Sequence, residues 1–162
     1  MAEVAKRLLA LGCRGMIGDS PGGLFNEARL KRVYRICGME DAARESGAEL
    51  CFDTGSSVLA FPQGAVLKEL TVTDMATKAD KVISLAKIKT HGMMTYTGVT
   101  KNLFGVIPGT GKAELHMRLP DAMDFANALL DIYLAAAPVL CLMDGIVGME
   151  GNGPTNGKAR KI

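Results

Sequence analysis

No aspartate or glutamate occurs between Lys81 and Lys112, a stretch that holds five lysines. The chain as a whole is nearly balanced, with a net charge of +2, so bulk attraction to nucleic acid is not expected and any electrostatic role must come from this local clustering. The basic stretch has only Tyr96 and Phe104 as aromatics and no known reader motif, which argues against RNA or DNA as partner. Paired cysteines are missing too. Cys13, Cys37, Cys51 and Cys141 stand far apart with no C-x-x-C, a spacing that does not suit a zinc site or an iron–sulfur cluster held by this chain alone. They read as small buried hydrophobes, and nothing demands an oxidising compartment. The longest apolar run, Ile132 to Met143, is too short to span a bilayer and contains Pro138. The amphipathic amino terminus, with Glu3, does not resemble a signal peptide. A cytoplasmic location is the default expectation.

The chain has 162 residues, 48% hydrophobic and 22% charged, enough for one domain with a real core. Residues 2–11 place Val4, Leu8 and Leu11 at helical spacing, with Gly12 as a stop. "RGMIGD" reads as a strand entering the tight loop "SPGG". Leu30, Val33, Tyr34 and Cys37 share a helix face, "MEDAARESG" continues as a short helix, and "AELCFD" is extended. "VLAF" and "AVLKELTV" suggest a hairpin around Pro62-Gln63-Gly64. "DKVISLAKI" reads as a strand, and a helix is expected from near Thr95, carrying Val99, Leu103 and Val106. "PDAMDFANALLDIYLAAA" predicts a long helix with Pro120 in its first turn and a core stripe of Met123, Ala126, Leu130 and Leu134. "PVLCLMDG" then reads as a buried strand. Alternating strands and helices imply an α/β fold with a mostly parallel sheet and helices on both faces. The expected organisation is one α/β domain over 1–150 and a glycine-rich, flexible tail over 151–162.

In such a sheet the strand-to-helix loops share one edge, where ligands bind. Three candidates are unusual in composition: "GDSPGG" (18–23), "KIKTHG" (87–92) and "MDGIVGMEGNGP" (143–154). Lys87, Lys89 and His91 alternate on an extended backbone and so point the same way. Lys101-Asn102 follows, and "GTGK", ending at Lys112, offers glycine amides that approach an oxyanion without a side chain in the way. Lysine brings mobile positive charge, asparagine a donor and an acceptor, histidine a group titrating near neutrality. Together they suit a carboxylate, phosphate or enolate-like ligand, with Lys101 and Lys112 neutralising it while His91 or His116 moves a proton. The bland readings stand beside this one: lysines are usually solvated, a histidine often serves only as a structural hydrogen-bonder, and Asn102 can brace a helix. "GTGK" lacks Walker A spacing. Asp19 and Ser20 suit a ligand site or, more commonly, a helix cap. Asp144 and Glu150 could ligate a hard cation, but EF-hand spacing is missing, and Asn152-Gly153-Pro154 suits a turn.

At these residues the chain resembles the domain-of-unknown-function family 362. The resemblance rests on "AKIKTHGMMTYTGVTKNLFGVIPGTGK", on His116 and on "VLCLMDGIVGMEGNGPTNG", with "GDSPGG" upstream, and extends from about Gly12 to Gly157. It singles out Asp19, Lys87, Lys89, His91, Lys101, Asn102, Lys112, His116, Asp144, Glu150 and Asn152. Many members of that family are described as iron–sulfur proteins because a ferredoxin-like domain with C-x-x-C runs follows. The resemblance therefore implies that any 4Fe–4S cluster belongs to an absent downstream domain, and that this chain is a partial family domain. The family has no settled activity to carry over. Two function classes remain open: part of a redox or isomerase-like enzyme with a small anionic ligand, or an electron-transfer or interaction module docking an acidic partner or a ferredoxin-like domain. A homodimer would cover a sheet edge left open by a missing strand.

Overall fold

A computed structural model describes residues 1–162. The first third is built from helix α1 (Ala2–Ala10), strand β1 (Met16–Ile17), helices α2 (Glu27–Ile36) and α3 (Met39–Ser46), and strand β2 (Glu49–Leu50). The two short strands pair in parallel, Met16 opposite Glu49. Asn26 starts α2 by accepting the Arg29 amide at 2.9 Å, a side-chain cap that satisfies one of the free amides of the first turn. Gly47, at φ 81°, ends α3 in the left-handed region that glycine adopts without strain. Leu30, Tyr34 and Met39 form a small core here, with Ile17, Phe25 and Phe52 packed around it.

Strands β3 (Ser56–Ala60) and β4 (Glu69–Thr73) form the expected antiparallel hairpin. After the short helix α4 (Asp74–Lys78), β5 (Ile83–His91) runs into a hairpin with β6 (Thr95–Thr97). The helix expected from Thr95 thus begins only at α5 (Val99–Asn102), followed by a 3-10 turn (Leu103–Val106). The β-branched and aromatic Thr-Tyr-Thr pairs with the strand before it, and Gly98 breaks the segment. Helix α6 (Gly109–Arg118) takes in the whole of "GTGK", and α7 (Ala122–Ala136) follows. Asp121, not Pro120, opens α7, accepting the Met123 and Asp124 amides at 2.8 and 3.1 Å.

The main core gathers thirteen residues, among them Leu70, Val72, Leu103, Phe104, Ile107, Phe125, Leu129 and Ile132. This reverses the expected stripe of α7: Met123 is 68% and Leu134 61% exposed, whereas Phe125, Ala128, Leu129 and Ile132 are buried. The helix is apolar nearly all round, so its periodicity does not fix which face turns inward. The buried face even includes Asp131, whose carboxylate accepts the amides of Ala65, Val66 and Leu67 at 2.7–2.8 Å and pins the β3–β4 connection to the helix.

Strand β7 (Leu140–Asn152) lies parallel to β5, and β8 (Asn156–Lys161) folds back on it. The class is α/β, but the sheets are mixed: two pairings are parallel and three antiparallel. Two further expectations change. Residues 156–161 form a strand rather than a loop, because backbone pairing does not need apolar side chains. Strand β7 is not buried either, with Leu140 and Leu142 each 43% exposed, so helices do not cover the sheet completely at this strand. No helix is long and apolar enough to cross a membrane.

Candidate functional site

The segments "KIKTHG" and "MDGIVGMEGN" are strand rather than loop, yet the site they were expected to build is compact. A cleft of about 370 Å³ is lined by Asp19, Ser20, Pro21 and Gly22 from the first loop and by Lys87, Lys89 and His91 from β5. Thr97, Gly98, Lys101, Asn102, Phe104 and Gly105 close it from β6, α5 and the 3-10 turn, with Lys112 from α6 and Pro154 from the β7–β8 turn. Eight of the residues singled out from sequence therefore meet in one place. Four do not line it. His116 lies behind it, Asn152 pairs with Asn156 at the end of the β7–β8 hairpin, Asp144 holds Lys87, and Glu150 holds Arg160 on the neighbouring strand.

The first loop is held from below. The Tyr34 hydroxyl donates to the Asp19 carbonyl at 2.8 Å and accepts the Asp19 amide at 2.9 Å. Burial pushes this phenol up to about 12, so it stays protonated and serves both bonds. From above, a Cβ at Gly105 would come within 2.4 Å of Asp19 Oδ1, so a larger residue in the 3-10 turn would push this carboxylate aside. The Gly23 amide donates to the Gly109 carbonyl at 3.2 Å, tying the loop to the start of α6. Asn102 donates to Ser84 Oγ at 3.1 Å and to the Leu85 carbonyl at 3.3 Å. Its amide thus braces α5 on β5, the structural role that the sequence left open.

Charge in the cleft is one-sided. Lys87 is neutralised by Asp144 and also donates to the Val147 carbonyl at 2.8 Å. Neither Lys89 nor Lys101 takes part in any ion pair of the chain. The Lys101 ammonium lies 5.1 Å from the centre of the Phe104 ring and 5.6 Å from that of Phe125. Burial lowers its pKa. The Lys112 amine lies 5.6 Å from the centre of the Phe104 ring and donates to the Ser20 carbonyl. Burial lowers it to about 8, helped by the charge of Lys101 and opposed by Asp19. Burial in turn raises Asp19, against the pull of Lys112, the Ser20 amide and Lys89. Ser20 is wholly buried, and its hydroxyl has no hydrogen-bond partner.

Both histidines are half-buried and held by their neighbours. His91 Nδ1 accepts the amides of Met93 and Met94, both at 3.1 Å. A ring nitrogen that accepts is unprotonated, so the neutral imidazole carries its proton on Nε2 and offers a hydrogen bond rather than taking a proton. Burial lowers its pKa, with Lys101 and His116 adding to the shift. His116 stacks on Phe125 with ring centres 4.2 Å apart and is likewise held down by burial and by Lys101. The carboxylates assigned to a metal are each engaged by a cation, and no group of three His, Cys, Asp or Glu residues converges.

Sequence reading missed Tyr34, Phe104, Phe125 and Gly105 as parts of the site. Tyr34 carried a usable signal, since a buried tyrosine needs a partner for its hydroxyl. The other three had none, because their roles arise from what packs against them.

A curated relative, a thylakoid-associated protein from Synechocystis sp. (strain ATCC 27184 / PCC 6803 / Kazusa), is 44% identical over 94 residues. The match takes in 57% of this chain and 29% of the relative, so the chain spans under a third of that protein's length. No solved structure matches. The family described as "Domain of unknown function (DUF362)" matches residues 1–162, the whole chain. The protein is a member of the DUF362 family.

Proposed function

We propose that the cleft binds a small anion, and that the chain is the ligand-binding part of a larger redox or isomerase-like enzyme. One observation carries this reading: Lys101 is drawn out of water beside Lys112 with no carboxylate of its own. Removing an ammonium from water costs several kcal/mol in a folded protein, and each ring face at a half-buried site returns on the order of 1–2 kcal/mol. A bound carboxylate or phosphate would supply the remainder. Lys89 would add a second charge, His91 an Nε2–H donor, and Ser20 a hydroxyl that lacks any internal partner.

Calorimetric titration with inorganic phosphate and with oxalate tests the reading. Lys101→Ala should weaken binding by about 10- to 100-fold, the loss of one charge-assisted hydrogen bond, with little change in Tm. Equal affinity in wild type and variant would end the proposal.

A second reading has its own support. Strand β8 presents the exposed Lys158 and Lys161, neither of them in an ion pair. Lys158 and Lys161, which no carboxylate holds, would dock an acidic partner or a ferredoxin-like domain without chemistry on this chain. Association through exposed lysines weakens steeply with salt, whereas an enclosed anion site responds less. A 4Fe–4S cluster belongs to either reading only in a separate domain, because no three cysteines of this chain converge. A cytoplasmic location completes the proposal; fractionation with membranes would place the protein with its thylakoid-associated relative instead.

A further inference from the structure

We propose that Lys112 is a nucleophilic amine that condenses with the carbonyl group of the bound anion, making the ligand class a small aldehyde or ketone that also bears a carboxylate or phosphate. This rests on the anion-binding reading above and adds the chemistry that reading leaves open.

The two central lysines share the face of Phe104 and differ in their other partners. Lys101 faces two aromatic rings at 5.1 and 5.6 Å and no acid, a setting that keeps the ammonium charged. Lys112 is half-buried within reach of that charge, and its hydrogen-bond partner is a neutral carbonyl, that of Ser20. A neutral amine gives one N–H to a carbonyl and keeps its lone pair free for the cleft. Desolvation beside a second cation is a known way to make a lysine nucleophilic. With its pKa lowered to about 8, the free-amine fraction at neutral pH exceeds that of an ordinary lysine by on the order of a hundredfold. Asp19 is the acid whose charge acts on Lys112, and its own burial favours the protonated form. Asp19 lines the same cleft as Lys112 and can take the ammonium's proton and return it to the leaving hydroxyl, the transfer a condensation needs.

The step balances without a redox partner. The Lys112 lone pair attacks the carbonyl carbon, and the carbonyl oxygen gains a proton as the nitrogen loses one. The resulting carbinolamine hydroxyl takes a second proton from Asp19 and leaves as water. The nitrogen gives up its other proton, which restores Asp19, and an imine remains.

The 162-residue chain is incubated at neutral pH with pyridoxal 5′-phosphate or with pyruvate, then reduced with borohydride and mapped by peptide mass spectrometry. The two probes separate phosphate-bearing from carboxylate-bearing ligands. The expected result is one adduct per chain, on Lys112, at least about tenfold above any exposed lysine given the difference in free amine, and suppressed by inorganic phosphate. Lys112→Arg should give no adduct at the site. Labelling spread over exposed lysines without excess at Lys112 overturns the proposal. So does the absence of adduct with both probes while phosphate still binds calorimetrically, an outcome that leaves the anion site standing. Loss of phosphate binding and of adduct together removes both readings.

Discussion

The ammonium of Lys101 sits 5.1 Å from the centre of the Phe104 ring, and the same ring lies 5.6 Å from Lys112. One aromatic side chain thus faces both amines. Phe104 is 5% exposed and belongs to the main core, so the position of both amines is inherited from core packing. Replacing it with leucine keeps an apolar side chain but loses the ring face. Phe104→Leu should weaken phosphate binding by about 3- to 30-fold, the range of one partly desolvated cation–π contact, and should lower Tm as well. Calorimetry and thermal melts read the two effects separately.

Tyr34 links the small core to the cleft through the Asp19 backbone. Tyr34→Phe leaves a buried amide and carbonyl without their partner, at a cost of about 1–3 kcal/mol. Urea unfolding should show that loss, and phosphate affinity should fall with it because Asp19 and Ser20 are no longer held. Unchanged stability would mean that water replaces the hydroxyl.

The imidazoles give a prediction about pH. Both His91 and His116 have folded pKa values below their usual 6.5, first because of burial and next because of Lys101. Protons then bind the unfolded chain more readily than the folded one between those two values. Their contribution to stability is complete above about 6.5 and is lost as pH falls below it. NMR titration should place both rings below 6.5, with His91 as the Nε2–H tautomer. Lys101→Met should raise both values, since it removes a positive neighbour common to the two. Rings that titrate at 6.5 or above in the wild type would contradict the buried, cation-flanked setting.

Asp131 offers a test of the scaffold alone. Its carboxylate accepts three backbone amides at 2.7–2.8 Å, and those bonds outweigh the burial that opposes them, leaving the folded pKa below the usual value of 3.8. The stability it contributes is present above about pH 3.8 and is lost as pH falls through the folded value. Asp131→Asn removes an acceptor and turns an N–H toward an N–H. A loss of about 2–4 kcal/mol is expected in denaturant unfolding, with phosphate binding retained under conditions where the variant is folded.

Composition already marked out the cleft. Lys87, Lys89, His91, Lys101 and Lys112 stand in a stretch empty of acids, and together with Asp19, Ser20 and Asn102 they line one cavity. Local chemistry was legible in the same way: Asn26 and Asp121 cap helices because a side-chain acceptor near free amides acts within a few residues. What could not be read was the phase of α7, since the apolar side chains on every face of "AMDFANALLDIYLAA" leave only packing to choose the inner one. Asp144 and Glu150 were misread for a related reason. A carboxylate suits a metal or a basic side chain equally well in sequence, and the strand register brings Lys87 beside Asp144 while the hairpin brings Arg160 to Glu150.

By itself, then, the sequence determined which groups carry charge and that the excess is positive, because charge belongs to residue types. Only the tertiary structure decided which lysines are free, which are paired and which are buried. Those properties depend on neighbours distant in the chain, and a side chain's desolvation is set by whatever the rest of the fold packs around it.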